Sequence, residues 1–157
     1  MLSKKAKYAL KAMLALSEAH EGDLLQATEI AERENIPKKF LDLILQDLRV
    51  RGFIQSHRGK QGGYALARPA REITVGEIVR VVDGPLAPIA CASVTAYQPC
   101  EDCRDVKTCR IRLMMREVRD AASAVLDNIT LGEAAGLVTK TKKGPRSQGI
   151  SKTRSPA

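Results

Sequence analysis

Apolar positions along the first half of the chain recur at helical spacing, in three separate blocks. Residues 4 to 20 set Tyr8, Leu10, Met13, Leu14 and Leu16 among lysines and alanines, which predicts a first helix ending at Gly22-Asp23. Gln26 to Arg33 is short and rich in Ala and Glu, with Ile30 and Ala31 inward, and Glu34-Asn35 breaks it. Pro37 then stands where a first helical turn tolerates proline. Lys38 to Arg51 follows, with Phe40, Leu41, Leu43, Ile44, Leu48 and Val50 as its apolar set and Gly52 as its C-terminal cap. Two helices joined by a turn of about four residues make a helix-turn-helix.

The period then changes. Residues 53 to 57 alternate like a strand, Arg58-Gly59-Lys60-Gln61-Gly62-Gly63 reads as a basic glycine-rich turn, and residues 64 to 67 form the return strand. A β-hairpin directly after a helix-turn-helix predicts a winged helix, and an ordinary surface hairpin is the plain alternative. Glycine permits positive φ and close approach of the backbone to a partner. Arg58 and Lys60 at the tip are placed for a minor groove or for phosphates. Thr74-Val75-Gly76-Glu77 has the form of a capping box and starts a helix over 75–82. Residues 85 to 108 show little periodicity and predict an irregular loop. From about Lys107 to Ile129 a long helix returns. Its Ile111, Met115, Val118, Ala122, Val125 and Ile129 are spaced as the a and d positions of a helix–helix seam. A core helix and a dimerisation helix both fit, and the second suits a protein reading paired half-sites.

The predicted class is therefore mostly α with a small β-hairpin wing. It comprises a winged helix-turn-helix DNA-binding unit (1–84), a cysteine-rich sensor loop (85–108), a dimerisation helix (107–134) and a basic disordered tail (139–157).

Charge supports that division. The formal net charge is +8, and the tail alone carries Lys140, Lys142, Lys143, Arg146, Lys152 and Arg154 with no acid. Its composition cannot bury enough apolar surface to fold. Residues 1–69 hold 12 Lys/Arg against 8 Asp/Glu, and residues 70–138 hold 8 against 10, so the winged half is the basic half of the body. Lys38, Lys39 and Asp42, on the first turns of the third helix, are candidates to reach base edges, with Gln46 weaker. Gln26 and Thr28, near the start of the second helix, are candidates to meet phosphate through backbone amides. A solvated helix face is the bland account of Lys38 and Lys39. No apolar run approaches a membrane span, and the N-terminus lacks the pattern of a signal peptide, so a cytoplasmic location is expected. No Ser/His/Asp set, Cys/His set or phosphate-binding loop is placed by spacing, so the chain is not expected to be an enzyme.

The four cysteines of the chain, Cys91, Cys100, Cys103 and Cys109, fall within 19 residues. In a reducing compartment, clustered thiols bind metal or do redox chemistry more often than they form structural disulfides. A zinc site wants two close pairs, and only Cys100 and Cys103 make one. A metal-free thiol switch needs thiolates of lowered pKa, for which Arg104, Lys107, Arg110 and Arg112 compete with Glu101, Asp102 and Asp105. An iron–sulfur cluster tolerates uneven spacing on a loop and fits best, and an inert set remains the fourth account. A small iron–sulfur electron carrier would also use four cysteines, but it has no use for a basic wing.

The chain resembles the winged-helix regulators that include the iron–sulfur cluster regulator IscR, the nitric-oxide sensor NsrR, the iron regulator RirA and the cysteine-metabolism repressor CymR. The resemblance rests on Tyr8-Ala9-Leu10, Glu29-Ile30-Ala31-Glu32, Pro37 to Leu48 and the wing Arg58 to Tyr64. Val75-Gly76-Glu77-Ile78 and Asn128-Ile129-Thr130-Leu131 extend it, so that it covers roughly residues 1–134. It implies a homodimeric, sequence-specific regulator of transcription, most simply a repressor, acting on a double-stranded DNA operator. Its cysteine loop would hold a [2Fe–2S] or [4Fe–4S] cluster sensing iron, redox state or nitric oxide. The resemblance also places Arg58 in the minor groove and the start of the third helix at the major groove. The iron–sulfur regulators supply a histidine three residues after the last cysteine, where this chain has Arg112. The nitric-oxide sensor uses an acidic residue in the first helix, where this chain has Lys7 and Tyr8. Cys91, Cys103 and Cys109 match the family trio, with Cys100 filling the vacancy; the alternative makes Cys100 the ligand and Cys103 the spare.

Overall fold

The computed structural model describes residues 2–20 and 22–141. Helix α1 (Lys4–Ser17) is capped by Ser3, whose hydroxyl accepts the Ala6 N–H at 3.0 Å. Ala6, Ala9, Ala12 and Ala15 form a buried stripe with Met13 and Leu16. Small side chains let other elements approach closely, and α1 becomes the axis of the body. Against it pack α2 (Ala27–Glu34), α3 (Lys38–Val50), strand β2 (Gly63–Leu66), α4 (Val75–Asp83) and α6 (Leu131–Thr141). Met13, Ile30, Leu41, Ile44, Leu45, Leu48, Ile73, Ile78 and Leu131 are fully buried in one aliphatic core.

Strand β1 (Ile54–His57) pairs antiparallel with β2, with Ile54 opposite Leu66 and His57 opposite Gly63. The expected wing is present, its strands shifted by a residue from the sequence bounds. Leu25, just before α2, exchanges backbone hydrogen bonds with Tyr64 at 2.8 and 3.0 Å, which ties the wing to the helix-turn-helix. The Thr74 capping box forms: its hydroxyl accepts the Glu77 N–H at 3.2 Å, and the Glu77 carboxylate accepts the Thr74 N–H at 2.8 Å.

The long helix differs from its expected extent. Helix α5 runs only from Arg110 to Leu126. The chain then breaks at Asp127–Thr130 and starts again as α6. A second capping box causes the restart: the Thr130 hydroxyl accepts the Glu133 N–H at 3.2 Å, and the Glu133 carboxylate accepts the Thr130 N–H at 2.9 Å. Ile129 therefore leaves the seam. Its carbonyl accepts the Val75 N–H at 2.9 Å, and Leu131 N–H donates to Ile73 O at 2.8 Å, so this joint is stapled to the start of α4. Arg80 closes the staple with two bonds to the Asp127 carboxylate, 2.5 and 2.7 Å. Gly76 makes room for it, since a Cβ there would lie 2.0 Å from Asp127 Oδ1. Of the tail expected over 139–157, residues 139–141 continue α6 and the remainder lies outside the described residues.

Candidate nucleic-acid interface and cysteine cluster

The turn between α2 and α3 depends on Asn35, which caps α2 in the left-handed region with φ 52°. The chain reverses there, Ile36 N–H returns to Ala31 O at 2.9 Å, and the Ile36 side chain is buried. Lys11 of α1 donates to the Glu34 carbonyl and holds the turn from the other side. Helix α3 then inserts Leu41, Ile44, Leu45 and Leu48 into the core. Lys39, Leu43, Gln46 and Val50 are left exposed on the opposite face.

Between the start of α2, the start of α3 and the wing lies an open trough of about 540 Å³. Gln26, Thr28, Lys38, Arg58 and Lys60 line it, together with Ser56 and Tyr64, which sequence reasoning did not single out. Lys39 and Asp42 lie outside this lining. Lys38 donates to the Asp42 carboxylate at 2.9 and 3.1 Å. This i,i+4 pair is about half exposed, so exchanging it for another partner costs only a few tenths of a kcal/mol, about 0.5 at most. Among the described residues, no carboxylate pairs with Lys39, Arg58 or Lys60. The Gln26 N–H is directed at the Glu29 carboxylate, 3.4 Å away.

The wing glycines divide the work differently from the sequence expectation. Gly59 has φ 119° and makes the turn. Gly62 and Gly63 have ordinary φ and serve close approach within the chain itself. A Cβ on Gly62 would lie 2.3 Å from His57 O, and one on Gly63 would lie 2.7 Å from Leu25 O.

The cysteines stand on two elements, the 3₁₀ turn at Ala90–Ala92 and the segment leading into α5. Cys109 caps the N-terminus of α5, and its sulfur lies 3.5 Å from that of Cys103. The Arg112 backbone N–H, the neighbouring Cys103 thiol and the Ile111 N–H hold the Cys109 thiol below its ordinary pKa. Cys103 shares hydrogen bonds with Cys109 first and Cys100 second, and its own pKa is pushed up to about 12. Cys100, Cys103 and Cys109 thus gather at the start of α5. Cys91 is buried in a 3₁₀ turn, Ala90–Ala92, and among the described residues no hydrogen bond joins its thiol to the other three. Two arginines of α5 dock that turn: Arg112 Nε donates to Cys91 O at 2.8 Å, and Arg119 Nη1 donates to Ala92 O at 2.5 Å. Arg112 also lies over the Tyr97 ring, 6.0 Å from its centroid. Four thiols are a donor set that iron or zinc takes. Among the described residues, however, no three His, Cys, Asp or Glu side chains converge as a ready metal site.

Helix α5 itself buries no side chain. Ile111, Leu113, Met114, Val118 and Val125 are all exposed along it. Among the described residues, no helix is long and apolar enough to cross a membrane.

Residues 2–136 match the family described as "Rrf2: Iron-dependent Transcriptional regulator". An rrf2-like HTH-type transcriptional regulator of Rhodobacter capsulatus is 46% identical over 141 residues, covering 87% of this chain and 94% of its own. The solved structure of CymR, the global cysteine regulator of B. subtilis, superposes with a TM-score of 0.70 at 32% identity, over 87% of this chain and 96% of that one. The IscR structure from T. potens gives a TM-score of 0.67 at 28% identity, over 95% and 93%. With a helix-turn-helix, a wing and a match spanning nearly all of the described residues, the chain belongs to the Rrf2 family of transcriptional regulators.

Proposed function

We propose that this regulator is a homodimeric repressor, acting in the cytoplasm, that reads a paired DNA site and is governed by an iron–sulfur cluster on its cysteine loop. The observation that carries the DNA part is the set of uncompensated cations Lys39, Arg58 and Lys60 around the outward face of α3. Such charges bind phosphate with release of counterions. Lys39, with Lys38 and Asp42 after exchange of their pair, reads base edges; Arg58 enters the minor groove, and Gln26 and Thr28 face phosphate across the trough. This is a binding role, not a catalytic one.

Two copies meet through α5. A helix with five exposed apolar side chains and none buried gains most by covering them, and a second copy of the same helix supplies the seam. Sedimentation should find a dimer, and Val118→Asp should give monomers.

The cluster would be held by Cys91, Cys103 and Cys109, with Cys100 as the fourth ligand. When bound, a [2Fe–2S] or [4Fe–4S] cluster supplies reversible electron transfer and sensitivity to oxygen, nitric oxide or iron scarcity. The gathering of three thiols at α5 supports this reading, as does the iron dependence in the family description. Cys103 lies against both Cys100 and Cys109, which supports counting it among the ligands rather than as a spare. Cys91 must join them, and the Arg112 bond to its carbonyl already anchors its backbone to the first turn of α5. Anaerobic purification with iron and sulfide analysis tests the reading, followed by gel-shift against a selected operator in air and under nitrogen. Cys100→Ala should lose or destabilise the cluster; a full, equally stable cluster would overturn its role.

The 3.5 Å separation of Cys103 and Cys109 favours one second reading, a metal-free thiol switch. The two thiols would lose two protons and two electrons to a peroxide, forming the S–S bond as the peroxide becomes water. Protein isolated without iron or zinc, with operator affinity changed by peroxide and restored by a dithiol, would favour it.

A further inference from the structure

The outward face of α3 is not uniformly polar. Leu43 is 59% exposed at its middle, one turn beyond Lys39 and three residues before Gln46. The inward requirement of the helix is already met by Leu41, Ile44, Leu45 and Leu48, so core packing does not call for an apolar residue here. The nearby exposed side chain Phe40 is accounted for, since it meets Tyr8 edge-on at 5.8 Å between centroids. Among the described residues, Leu43 has no such partner ring.

The surroundings say what kind of surface covers it. Lys39 stands on the same face, and Lys38, Arg58 and Lys60 line the trough beside the start of α3, so the surface that α3 shares with the wing suits a polyanionic occupant. In the major groove of DNA the one apolar group on a base edge is the C5-methyl of thymine. At 1.5 Å rise per residue, Leu43 lies about 6 Å along the helix from Lys39 and about 4.5 Å from Gln46, which is a step of one or two base pairs. Lys suits the O6 and N7 acceptors of guanine, and Gln suits the N6 and N7 edge of adenine.

We propose that Leu43 is a specificity-determining residue that reads a thymine methyl, between base contacts made by Lys39 and Gln46. The inference rests on the proposed seating of α3 in the major groove and deepens it. Leu43 contributes nothing to phosphate attraction; it sorts sequences.

The test begins with selection of a site by the wild-type protein from random-sequence duplexes. Each thymine of the selected duplex is then replaced in turn by deoxyuridine, which removes the methyl and leaves the hydrogen-bonding edge unchanged. At one position per half-site, wild-type affinity should fall by about fourfold, the worth of one buried methyl. Leu43→Ala should bind the thymine duplex more weakly and show no deoxyuridine penalty at that position. Because Leu43 is exposed, the variant should melt as the wild type does, and melting confirms that it is folded. A deoxyuridine penalty that is absent throughout, or is the same in Leu43→Ala, would overturn the assignment. Failure to select any sequence would instead overturn the DNA-reading proposal beneath it. Wild-type preference for an acidic protein over every duplex would also overturn the assignment.

Discussion

The winged body and the α5 arm are built on opposite terms. The body holds nine fully buried large side chains around an alanine-lined axis, whereas α5 holds none across its 17 residues. Every element of the body is fixed by what it packs against. The arm is fixed by polar bonds spread along it: Arg112 in its first turn and Arg119 at its middle to the cysteine turn, and Asp127 just past its end to Arg80. The difference teaches where regulation has room to act. A packed core has one arrangement, while an arm without a core can be re-aimed by a change at either end.

The sharpest way to break the contrast is to truncate one aliphatic side chain in each region to alanine. Leu45→Ala should destabilise the chain by about 2–5 kcal/mol in denaturant melts, the range for a buried leucine. Val118→Ala should leave the melting of the body within about 0.5 kcal/mol and act only on self-association. Equal losses at the two positions would show that the arm has a core after all.

The joint is the next place to press. Gly76→Ala puts a methyl 2.0 Å from Asp127 Oδ1 and 2.9 Å from Arg80 Nη1. The staple must open, at about 1–3 kcal/mol, and DNA affinity should fall while the wing stays folded. Asp127→Asn removes the charge with less strain. That pair is over a third exposed, so the loss should be about 1 kcal/mol or less. The hydrogen bonds and charge of Arg80 outweigh burial and hold the Asp127 carboxyl below its ordinary pKa. The stabilisation is therefore complete above the ordinary aspartate value and is lost as pH falls through the lowered one. Wild type and Asp127→Asn should differ in melting temperature at neutral pH and converge in strong acid.

The smallest effect concerns the thiols of metal-free, reduced protein. Cys109 should be alkylated by iodoacetamide before Cys103, because its thiolate forms at lower pH while that of Cys103 needs a pH near its pushed-up value of about 12. Mass spectrometry of the cysteine peptides over a pH series reads the order directly.

Local signals in the sequence carried the body well. The α2–α3 turn, the hairpin and the Thr74 capping box each depend on residues within a few positions of one another, and each formed close to its expected bounds. The Thr130 capping box is the same signal, but the apolar spacing running on to Ile129 masked it, and one helix was expected where two exist. What stayed hidden was long-range. The arginine docking of the Cys91 turn spans 21 and 27 residues, and the Arg80–Asp127 staple spans 47. No periodicity encodes such pairings. For the same reason, spacing could not show that Cys91 is buried in its own 3₁₀ turn, held by Arg112, while Cys103 and Cys109 meet at the start of α5.

Four of the six buried side chains of α1 are alanine. Each hides little greasy surface, so the spine on which the other helices lean is itself only weakly sticky. It also leaves the ribosome before every element that packs on it. The piece that must wait longest for its neighbours is thus the one least prone to cling to the wrong ones in the meantime.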